Sequence, residues 1–325
     1  MRAIVIKEFG GPEQLIIEEL PDPRPKPGHV IIEVKAFGIN RAETYMRKGA
    51  WSEAAKVSGI ECAGIVRSDP SGKLCAGQKA FAIMGGMGRS IYGSYAELTQ
   101  PPASNVVPIQ SDLPWEVLAA IPESYATAWA CLFGNLRLAS GQTLLIRSAT
   151  SPLGQAALNI AAHAKAHVIA TTRKPARFEM LRALGATEVL LESADLPKQL
   201  RALHPAGIDA VLELVGNSVL LSSLTTLKRH GHLCLAGFVG GLAPIEAFNP
   251  LLQMPSGVHF SFFGSFVLGT PEFPLSEIPM QSIVDRVANG SYTAKPAKVL
   301  PFDDIQQAHR LMDGYQVDGK LVVRL

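Results

Sequence analysis

The sequence predicts an α/β fold in which a doubly wound parallel-sheet domain is inserted into a mainly β domain. From residue 118 to about residue 265, apolar runs such as HVIATT and AVLELV alternate with helix-compatible stretches such as GQAALNIAAHAK. This alternation is typical of buried parallel strands covered by helices. Residues 1–117 carry short β-branched runs separated by Gly and Pro, and residues 266–325 resemble them more than the middle. We therefore predict one domain from residues 1–117 and 266–325 and another from residues 118–265, as a length of 325 residues favours.

The elements of the first domain follow from short sequence signals. The runs AIVI, HVIIEVKAFGI and ECAGIVRS are predicted strands. Residues Pro21 to Val30 contain alternating prolines, which keep this segment out of a helix and predict an extended loop leading into a strand. Near the end of the chain, EIPMQSIVDRVANG predicts a helix and GKLVVRL predicts a closing strand.

Composition and charge exclude several classes of protein. The formal net charge is +2 and the basic residues are scattered, so we expect no nucleic-acid partner. Since the sequence has neither an apolar run of about 18 residues nor a signal-peptide pattern, we expect a cytoplasmic protein outside the membrane. The cysteines form no C-x-x-C pair, so we interpret them as buried free thiols: Cys62, Cys75, Cys131 and Cys234.

The segment LLIRSATSPLGQAAL has the outline of a dinucleotide-binding crossover with few glycines. The three glycine positions of the G-x-G-x-x-G pattern fall on Ala149, Ser151 and Gly154. Ala149 is small enough for the tight turn, and Gly154 retains the position that packs the helix on the strand. Pro152 suits the first turn of a helix, with Ser151 as its N-cap. The segment predicts either a cofactor site or a plain strand-to-helix turn.

For a cofactor, this loop offers several donors. We expect the N–H groups of Leu153 and Gly154, at the positive end of the helix, to face a bound phosphate. The hydroxyls of Ser148, Thr150 and Ser151 could add further hydrogen bonds to it.

The end of the next predicted strand indicates which nucleotide is bound. NAD-preferring folds carry an acid about 20 residues after the glycine loop, whereas this chain has Thr172, Arg173, Lys174 and Arg177 there. Hydroxyls and cations suit a 2′-phosphate and favour NADPH over NADH. The alternative is a solvated basic helix start, although cations at a helix N-terminus oppose its dipole.

The ordered motifs resemble the medium-chain dehydrogenase/reductase superfamily, and within it the zinc-independent quinone oxidoreductases. They include FGGPEQL, AFGINRAETYMRKG, VSGIECAGIV, YGSYAEL, LELVG and LPFDDIQQAHRLMDG. The resemblance implies a Rossmann domain inserted in a GroES-like catalytic domain. The positions that hold catalytic zinc in other members correspond to Asn40, Ile60 and Glu123, and Asn and Ile cannot complete a zinc site. We therefore expect no metal.

The resemblance implies hydride transfer from NADPH to a quinone, because a protein without a Lewis acid is poorly suited to alcohol oxidation. A close alternative is reduction of an α,β-unsaturated carbonyl compound, an enone or enal. A third is a non-catalytic NADPH-binding redox sensor, which the atypical loop favours. The resemblance also implies a homodimer formed through VHFSFFGS, read as an edge strand.

The same resemblance assigns roles to individual residues. The catalytic candidates are Asn40 and Tyr45, and Tyr45 either hydrogen-bonds the acceptor or only packs. The acceptor is expected in the cleft between the domains near Tyr45, Trp51, Met84 and Phe262. Further cofactor contacts are implied for Asn40, Thr127, Val215, Gly237, Phe238, Phe262, Phe263, Gly264 and Lys320, the last at the phosphates.

Two acids receive separate predictions. Glu61 is expected to be a buried, paired structural acid. Glu192 corresponds to a tyrosine near the adenosine phosphate of some relatives, where an acid would repel a 2′-phosphate. This repulsion would be avoided only if Glu192 pairs with Arg173, Lys174 or Arg177.

Overall fold

A computed structural model describes residues 1–51 and 53–325 of the chain. The chain divides into two compact units. Unit 1 consists of Met1–Ala126 and Ser265–Leu325, and unit 2 consists of Thr127–Gly264. The first junction lies nine residues after the predicted one because residues 118–126 remain with unit 1; the helix at Trp115–Leu118 contacts three strands of its sheet.

Unit 1 contains most of its strands before the first junction. These are β1 (Arg2–Ile6), β2 (Leu15–Glu19), β3 (Ile31–Ile39), β4 (Glu61–Ser68), β5 (Lys79–Ile83), β6 (Leu98–Thr99) and β7 (Val106–Pro108). The helices of this part are α1 (Arg41–Arg47), α2 (Trp115–Leu118) and α3 (Pro122–Trp129), and α3 runs through the junction into a π-helical turn at Ala130–Asn135.

Unit 2 alternates strands and helices along the chain, as predicted. Its elements are β8 (Thr143–Ile146), α4 (Pro152–His163), β9 (His167–Thr172), α5 (Phe178–Ala183), β10 (Glu188–Leu191), α6 (Leu196–Leu203), β11 (Ile208–Glu213), α7 (Asn217–Leu224), β12 (Leu227–Leu235), α8 (Pro250–Gln253) and β13 (His259–Phe262). Unit 1 then resumes with α9 (Met280–Ala288), β14 (Lys298–Pro301), α10 (Ile305–Asp313) and β15 (Leu321–Arg324).

The sheets of unit 1 are mainly antiparallel. One large sheet has the order β14-β15-β3-β4-β5-β7, with β6 paired to β3, and a separate hairpin joins β1 to β2. All of its pairings are antiparallel except that of β14 with β15. Its core contains Ile4, Ile32 and Phe37, and the Phe37 ring stacks on Tyr95 with 4.6 Å between centroids.

Unit 2 is built on a six-stranded parallel sheet in the order β10-β9-β8-β11-β12-β13. The chain starts in the middle at β8, moves outward to β10, and then crosses to β11 on the other side. This order is that of a doubly wound sheet, and it confirms the predicted fold class. Leu145, Ile169 and Val211 of three central strands lie in its apolar core. Strand β13 occupies one edge, as expected for the VHFSFFGS segment.

Two further sequence predictions can be compared with the described residues. Cys62, Cys131 and Cys234 are buried free thiols, but Cys75 is exposed, so the prediction was wrong for Cys75. Cys75 lies in the mostly exposed, Gly-containing turn between β4 and β5, so its side chain does not reach the core. Among the residues described, no helix combines the length and apolar character needed to cross a membrane.

Candidate functional site

The carboxyl edge of the parallel sheet in unit 2 gathers the loops that the sequence analysis singled out. Parallel strands end at the same edge, and ligands of doubly wound sheets bind in the crevice outside that edge, where the strand order reverses. In this sheet the reversal lies between β8 and β11. The loops and strand ends at this edge contain Ser148, Thr150, Ser151, Pro152, Leu153, Gly154, Thr172, Arg173, Lys174, Arg177, Val215, Gly237, Phe238, Phe262, Phe263 and Gly264.

The loop after β8 ends in the predicted capped helix. Pro152 is the first residue of α4, and the side chain of Ser151 accepts a hydrogen bond from the Gly154 N–H at 3.1 Å. A Cβ on Gly154 would lie 2.7 Å from the Ala149 Cα and 2.8 Å from the Ser148 carbonyl oxygen. Gly154 therefore allows a close approach of helix and strand that any larger residue would obstruct. Ser148 has a φ of +61° and turns the chain where a glycine is often used.

Two donors predicted for a phosphate are already engaged in this cap. The Gly154 N–H is bonded to Ser151, and the Ser151 hydroxyl donates to the Ser148 carbonyl oxygen at 2.8 Å. A side chain that caps a helix uses the same N–H that would face a ligand, so a bound phosphate would compete with this cap for both groups. The N–H of Leu153 and the hydroxyls of Ser148 and Thr150 are not part of the cap.

Arg147 is the main residue that the sequence analysis missed. Its side chain is 2% exposed and lies directly after β8. The guanidinium donates to the Ser223 hydroxyl at 2.8 Å and to the Ser222 hydroxyl at 3.0 Å, both on α7. Its Nε lies 3.7 Å from an Oε of Glu213, which is fully buried at the end of β11. Arg147 therefore connects the ends of β8 and β11 with the last turn of α7.

Glu192 is the second partner of Arg147. One carboxylate oxygen of Glu192 accepts from Nη2, and the other accepts from Nε at 3.2 Å and from the Thr171 hydroxyl at 2.7 Å. Glu192 is therefore neutralised by Arg147, a residue that the sequence analysis did not name. The physical reason is that β10 ends near buried Arg147, and a buried guanidinium requires carboxylate partners. A signal was present, since Arg147, Glu192 and Glu213 all stand at the ends of predicted strands.

Glu213 also shapes the loop after β11. One of its oxygens accepts the N–H groups of Val215 at 2.8 Å and Gly216 at 3.2 Å. The other accepts the Ser223 hydroxyl. Burial raises the pKa of the Glu213 carboxyl, while Arg147 and these hydrogen bonds oppose the shift. Val215, a predicted cofactor contact, is thus held in position through its own N–H.

The segment after β9 remains basic at its surface. Arg173 and Lys174 are exposed and Arg177 is half-buried, whereas Thr172 is 5% exposed and its hydroxyl accepts the Lys174 N–H at 3.2 Å. Thr172 therefore shapes the turn, while the cations are the groups that reach solvent. Since Glu192 is paired with Arg147, the structure keeps this acid from cancelling their charge.

The segments at the ends of β12 and β13 bring a glycine and aromatic side chains to the same edge of the sheet. A Cβ on Gly237 would lie 2.7 Å from the Leu214 carbonyl oxygen, so the backbone passes closely there. The rings of Phe238 and Phe262 are 6.2 Å apart, and Phe262 is 51% exposed. Phe263 is buried, and its N–H donates to the Leu235 carbonyl oxygen at 2.9 Å.

In unit 1, Asn40, Glu61 and Lys320 form a compact polar cluster. Glu61 is fully buried and accepts from the Lys320 ammonium and from the Asn40 amide at 2.8 Å. Its other oxygen accepts the Glu123 N–H at 2.7 Å. The expectation that Glu61 is a buried, paired acid is confirmed.

Lys320 has a different place from the one expected. Besides Glu61, its ammonium donates to the Asn40 amide oxygen at 2.5 Å and to the Ser124 hydroxyl at 3.3 Å. These three acceptors use all the donors of an ammonium group, so the predicted contact with cofactor phosphates is not supported.

A second buried network lies behind Asn40. Glu43 accepts the N–H of Asn40 at 2.6 Å, the N–H of Ile60 at 3.0 Å and the Tyr95 hydroxyl at 3.0 Å. Complete burial nevertheless raises the pKa of Glu43 to about 7. The Tyr95 oxygen also contacts His309, whose pKa burial lowers to about 3. These groups position α1, which carries Asn40 as its N-cap and Tyr45 in its middle.

The residues at the zinc positions of the resembling proteins do not make a zinc site. The Asn40 amide is committed to Glu61 and Lys320, Ile60 contributes an alkyl side chain, and Glu123 contributes one carboxylate. Zinc takes thiolate, imidazole or carboxylate ligands, normally three or four of them. The donor set therefore does not fit this ion.

The residues predicted to contact the acceptor are distributed over both units. In unit 1, the Tyr45 ring meets Trp51 edge-on with 6.2 Å between centroids, while Met84 is 4% exposed. Phe262 belongs to unit 2. Burial raises the pKa of Tyr45, so its hydroxyl keeps its proton at neutral pH and can act as a donor. Thr127, the first residue of unit 2, is buried within α3.

Comparisons with known proteins agree with this architecture. The family described as "Alcohol dehydrogenase GroES-like domain" matches residues 26–111, and that described as "Zinc-binding dehydrogenase" matches residues 152–279. Quinone oxidoreductase of Mus musculus is 30% identical over 260 residues, which cover 77% of this chain and 76% of the mouse protein. Quinone oxidoreductase of Homo sapiens is 26% identical over 338 residues, which cover 100% of this chain and 98% of the human protein. The crystal structure of a Pseudomonas syringae pv. Tomato DC3000 quinone oxidoreductase matches with a TM-score of 0.88 at 22% identity. The match covers 100% of this chain and 99% of the bacterial protein.

The parallel sheet and the loops at its carboxyl edge define a Rossmann-type unit interrupting a GroES-like one. With the similarity to the mouse protein, they show that the chain belongs to the medium-chain dehydrogenase/reductase superfamily, in its quinone oxidoreductase branch. The chain is an oxidoreductase of that superfamily.

Proposed function

We propose that this protein uses NADPH to deliver a hydride to a quinone without a zinc ion. The observation that carries the choice of NADPH is the charge arrangement at the carboxyl edge of unit 2. Arg173 and Lys174 are exposed there, while Glu192 is occupied by Arg147. A 2′-phosphate would therefore meet these cations while the Glu192 carboxylate is held by Arg147.

The chain's own residues would hold the rest of the nucleotide. The pyrophosphate fits beside the N-terminus of α4, where the Leu153 N–H and the Ser148 and Thr150 hydroxyls supply donors. Gly237, which lies against the Leu214 backbone, would stand beside the cofactor ribose. When bound, the nicotinamide supplies the hydride, and the protein binds, orients and excludes water.

Tyr45 is proposed to hydrogen-bond the acceptor oxygen, and Asn40 to line the site beside it. The raised pKa of Tyr45 keeps its hydroxyl protonated, as a donor requires. Similarity to quinone oxidoreductases supports the choice of a quinone. The residues Asn40, Ile60 and Glu123 support a zinc-independent reaction because they lack a zinc donor set.

The cofactor is tested by measuring NADPH and NADH affinity in wild type and in Arg173→Ala. We expect NADPH binding to weaken about 10- to 100-fold, which corresponds to one charge-assisted hydrogen bond of roughly 1.5–3 kcal/mol. NADH affinity should change little. Arg182→Ala is the matched control, because Arg182 pairs with Glu179 on α5. Equal losses for both nucleotides would refute the role of Arg173.

The acceptor is tested by comparing kcat/KM for 1,4-benzoquinones with that for enones and enals. Faster quinone reduction supports the proposal, while faster enone reduction supports the alternative chemistry. NADPH binding without turnover of any acceptor would favour a redox sensor. Tyr45→Phe should lower kcat/KM by about tenfold, within the range of one lost hydrogen bond. Tyr92→Phe, at a half-exposed tyrosine of unit 1, provides the control.

We also propose that the protein is a homodimer paired through β13. This strand is the edge of its sheet and exposes the side chains of Phe260 and Phe262. An exposed apolar edge strand favours pairing with another chain. The Phe263 N–H donates to Leu235 of β12, so by the alternation of a strand the Phe260 N–H points away from β12. Phe260→Pro would remove this outward-facing N–H, and light scattering should then show a larger monomer fraction. A monomeric wild-type protein would overturn this proposal.

A further inference from the structure

A cluster of three potential ligands lies away from the proposed cofactor residues of unit 2. His167 is the first residue of β9, Glu188 is the first residue of β10, and His204 directly follows α6. His167 and Glu188 therefore stand at the amino edge of the parallel sheet, opposite the carboxyl edge that carries the loop after β8. The side-chain exposures are 35%, 29% and 22%, respectively, so solvent reaches the cluster.

The ligand atoms of this cluster converge. Both imidazoles direct Nε2 at the same carboxylate oxygen of Glu188, at 2.6 Å from His167 and 3.4 Å from His204. The three ligand atoms all lie within 4.8 Å of one another. For comparison, ligand atoms around a tetrahedral zinc ion with bonds near 2.1 Å are separated by about 3.4 Å. Small side-chain rotations would therefore bring the cluster to that spacing.

The polar atoms of the cluster are incompletely satisfied. Although it is near Glu188, the buried Nε2 of His204 makes no hydrogen bond to any residue that the structure describes. A buried polar nitrogen without a partner is costly, whereas a neutral imidazole nitrogen is a good ligand for a transition metal. A cation would bind both imidazoles and also neutralise the carboxylate.

The backbone fixes the ligands before any cation binds. The His167 N–H donates to the Gln142 carbonyl oxygen at 2.8 Å, and the His204 N–H donates to the Leu200 carbonyl oxygen at 2.7 Å. Strand β10 pairs in parallel with β9 along its length. The donor set consists of two imidazoles and one carboxylate on preformed backbone, with solvent able to complete the coordination.

We propose that His167, Glu188 and His204 form a binding site for a divalent first-row metal ion, with Zn²⁺ as its probe. The ion would connect the starts of β9 and β10 with the end of α6. Its role would be to stabilise unit 2, independently of hydride transfer.

The test uses tag-free, EDTA-treated full-length protein titrated with Zn²⁺ by calorimetry. We expect one ion per chain with a Kd in the micromolar range or tighter. His204→Ala and Glu188→Gln should each weaken binding at least tenfold, since losing even a hydrogen-bond partner of a metal ligand costs about 10- to 100-fold. His259→Ala is the matched control, because His259 is an exposed histidine that stacks on His232 at 4.5 Å and on His230 at 6.5 Å, outside the proposed site.

If the variants fail to fold, a second measurement on the wild type tests the proposal. In the wild type, Zn²⁺ should raise the Tm and shift the imidazole ¹⁵N resonances of His167 and His204, leaving those of His232 and His259 in place. A wild-type Kd in the millimolar range would overturn the proposal. So would unchanged affinity in both variants, or loss of binding in His259→Ala.

Discussion

Replacing Arg147 by methionine tests whether the buried ion network supports the nucleotide-binding unit. The substitution keeps a long apolar side chain but leaves Glu213 fully buried and Glu192 with a side chain 14% exposed, without their counter-charge. It also removes the donors to Ser222 and Ser223. Breaking a buried ion pair by removing one partner costs about 3–5 kcal/mol. We expect the free energy of unfolding to fall by about 3 kcal/mol, the lower end of this range, because Glu192 can still accept from Thr171 and reach water.

The expected loss depends on pH in a defined direction. Without Arg147, burial would hold the pKa of Glu213 further above its unfolded value than in the wild type, where it is already raised. A group whose folded pKa is raised stabilises the fold below its unfolded pKa and loses that contribution as pH rises through the folded pKa. The deficit of Arg147→Met relative to wild type should therefore be larger at pH 8 than at pH 5.

Urea unfolding followed by circular dichroism at the two pH values measures this effect. A loss of about 3 kcal/mol corresponds to a decrease in Tm of roughly 6–12 °C for a unit of this size. The double variant Arg147→Met, Glu192→Gln should recover part of the loss, because one uncompensated charge is removed. A deficit below about 1 kcal/mol at pH 8, or one that grows toward pH 5, would refute the assigned network.

Three further substitutions test other parts of the site. Gly154→Ala should destabilise unit 2 by about 1–3 kcal/mol and weaken NADPH binding, because the new Cβ would lie 2.7 Å from Ala149; unchanged Tm and Kd would contradict this. Ser151→Ala should cost about 1 kcal/mol in urea unfolding through loss of the helix cap, and no measurable change would speak against that cap. Glu43→Gln should reduce the loss of stability that the wild type shows from pH 5 to pH 8, because the pKa of Glu43 is raised to about 7; parallel stability profiles would exclude Glu43 as the cause.

The alternation of strands and helices in unit 2 could be predicted because β8, β9 and β11 contain short, buried apolar runs. The N-cap at Ser151 and the packing role of Gly154 also followed from local rules of helix geometry. The first domain junction did not follow from such rules. It falls inside α3 between Ala126 and Thr127, where the helix is continuous and neither glycine nor proline marks the boundary.

The partner of Glu192 could not be chosen from sequence because the choice depends on three-dimensional proximity. Arg173, Lys174 and Arg177 are near it in the predicted topology, yet Arg147 is the residue whose burial demands a carboxylate. Similarly, Lys320 lies near the end of the chain but donates to Asn40 and Glu61, which lie in its first part. Long flexible side chains allow several pairings, and burial decides among them.

The proline at the start of α4 has a consequence for how cofactor affinity responds to ionic strength. Pro152 contributes no N–H, and the Gly154 N–H is taken by Ser151, so few uncharged backbone donors remain for the phosphates. Under the proposed function, a larger share of the attraction to the nucleotide would then come from the exposed cations Arg173 and Lys174. Because dissolved ions screen exposed charges over about 30 Å at 0.01 M and about 8 Å at 0.15 M, nucleotide affinity should fall steeply with added salt.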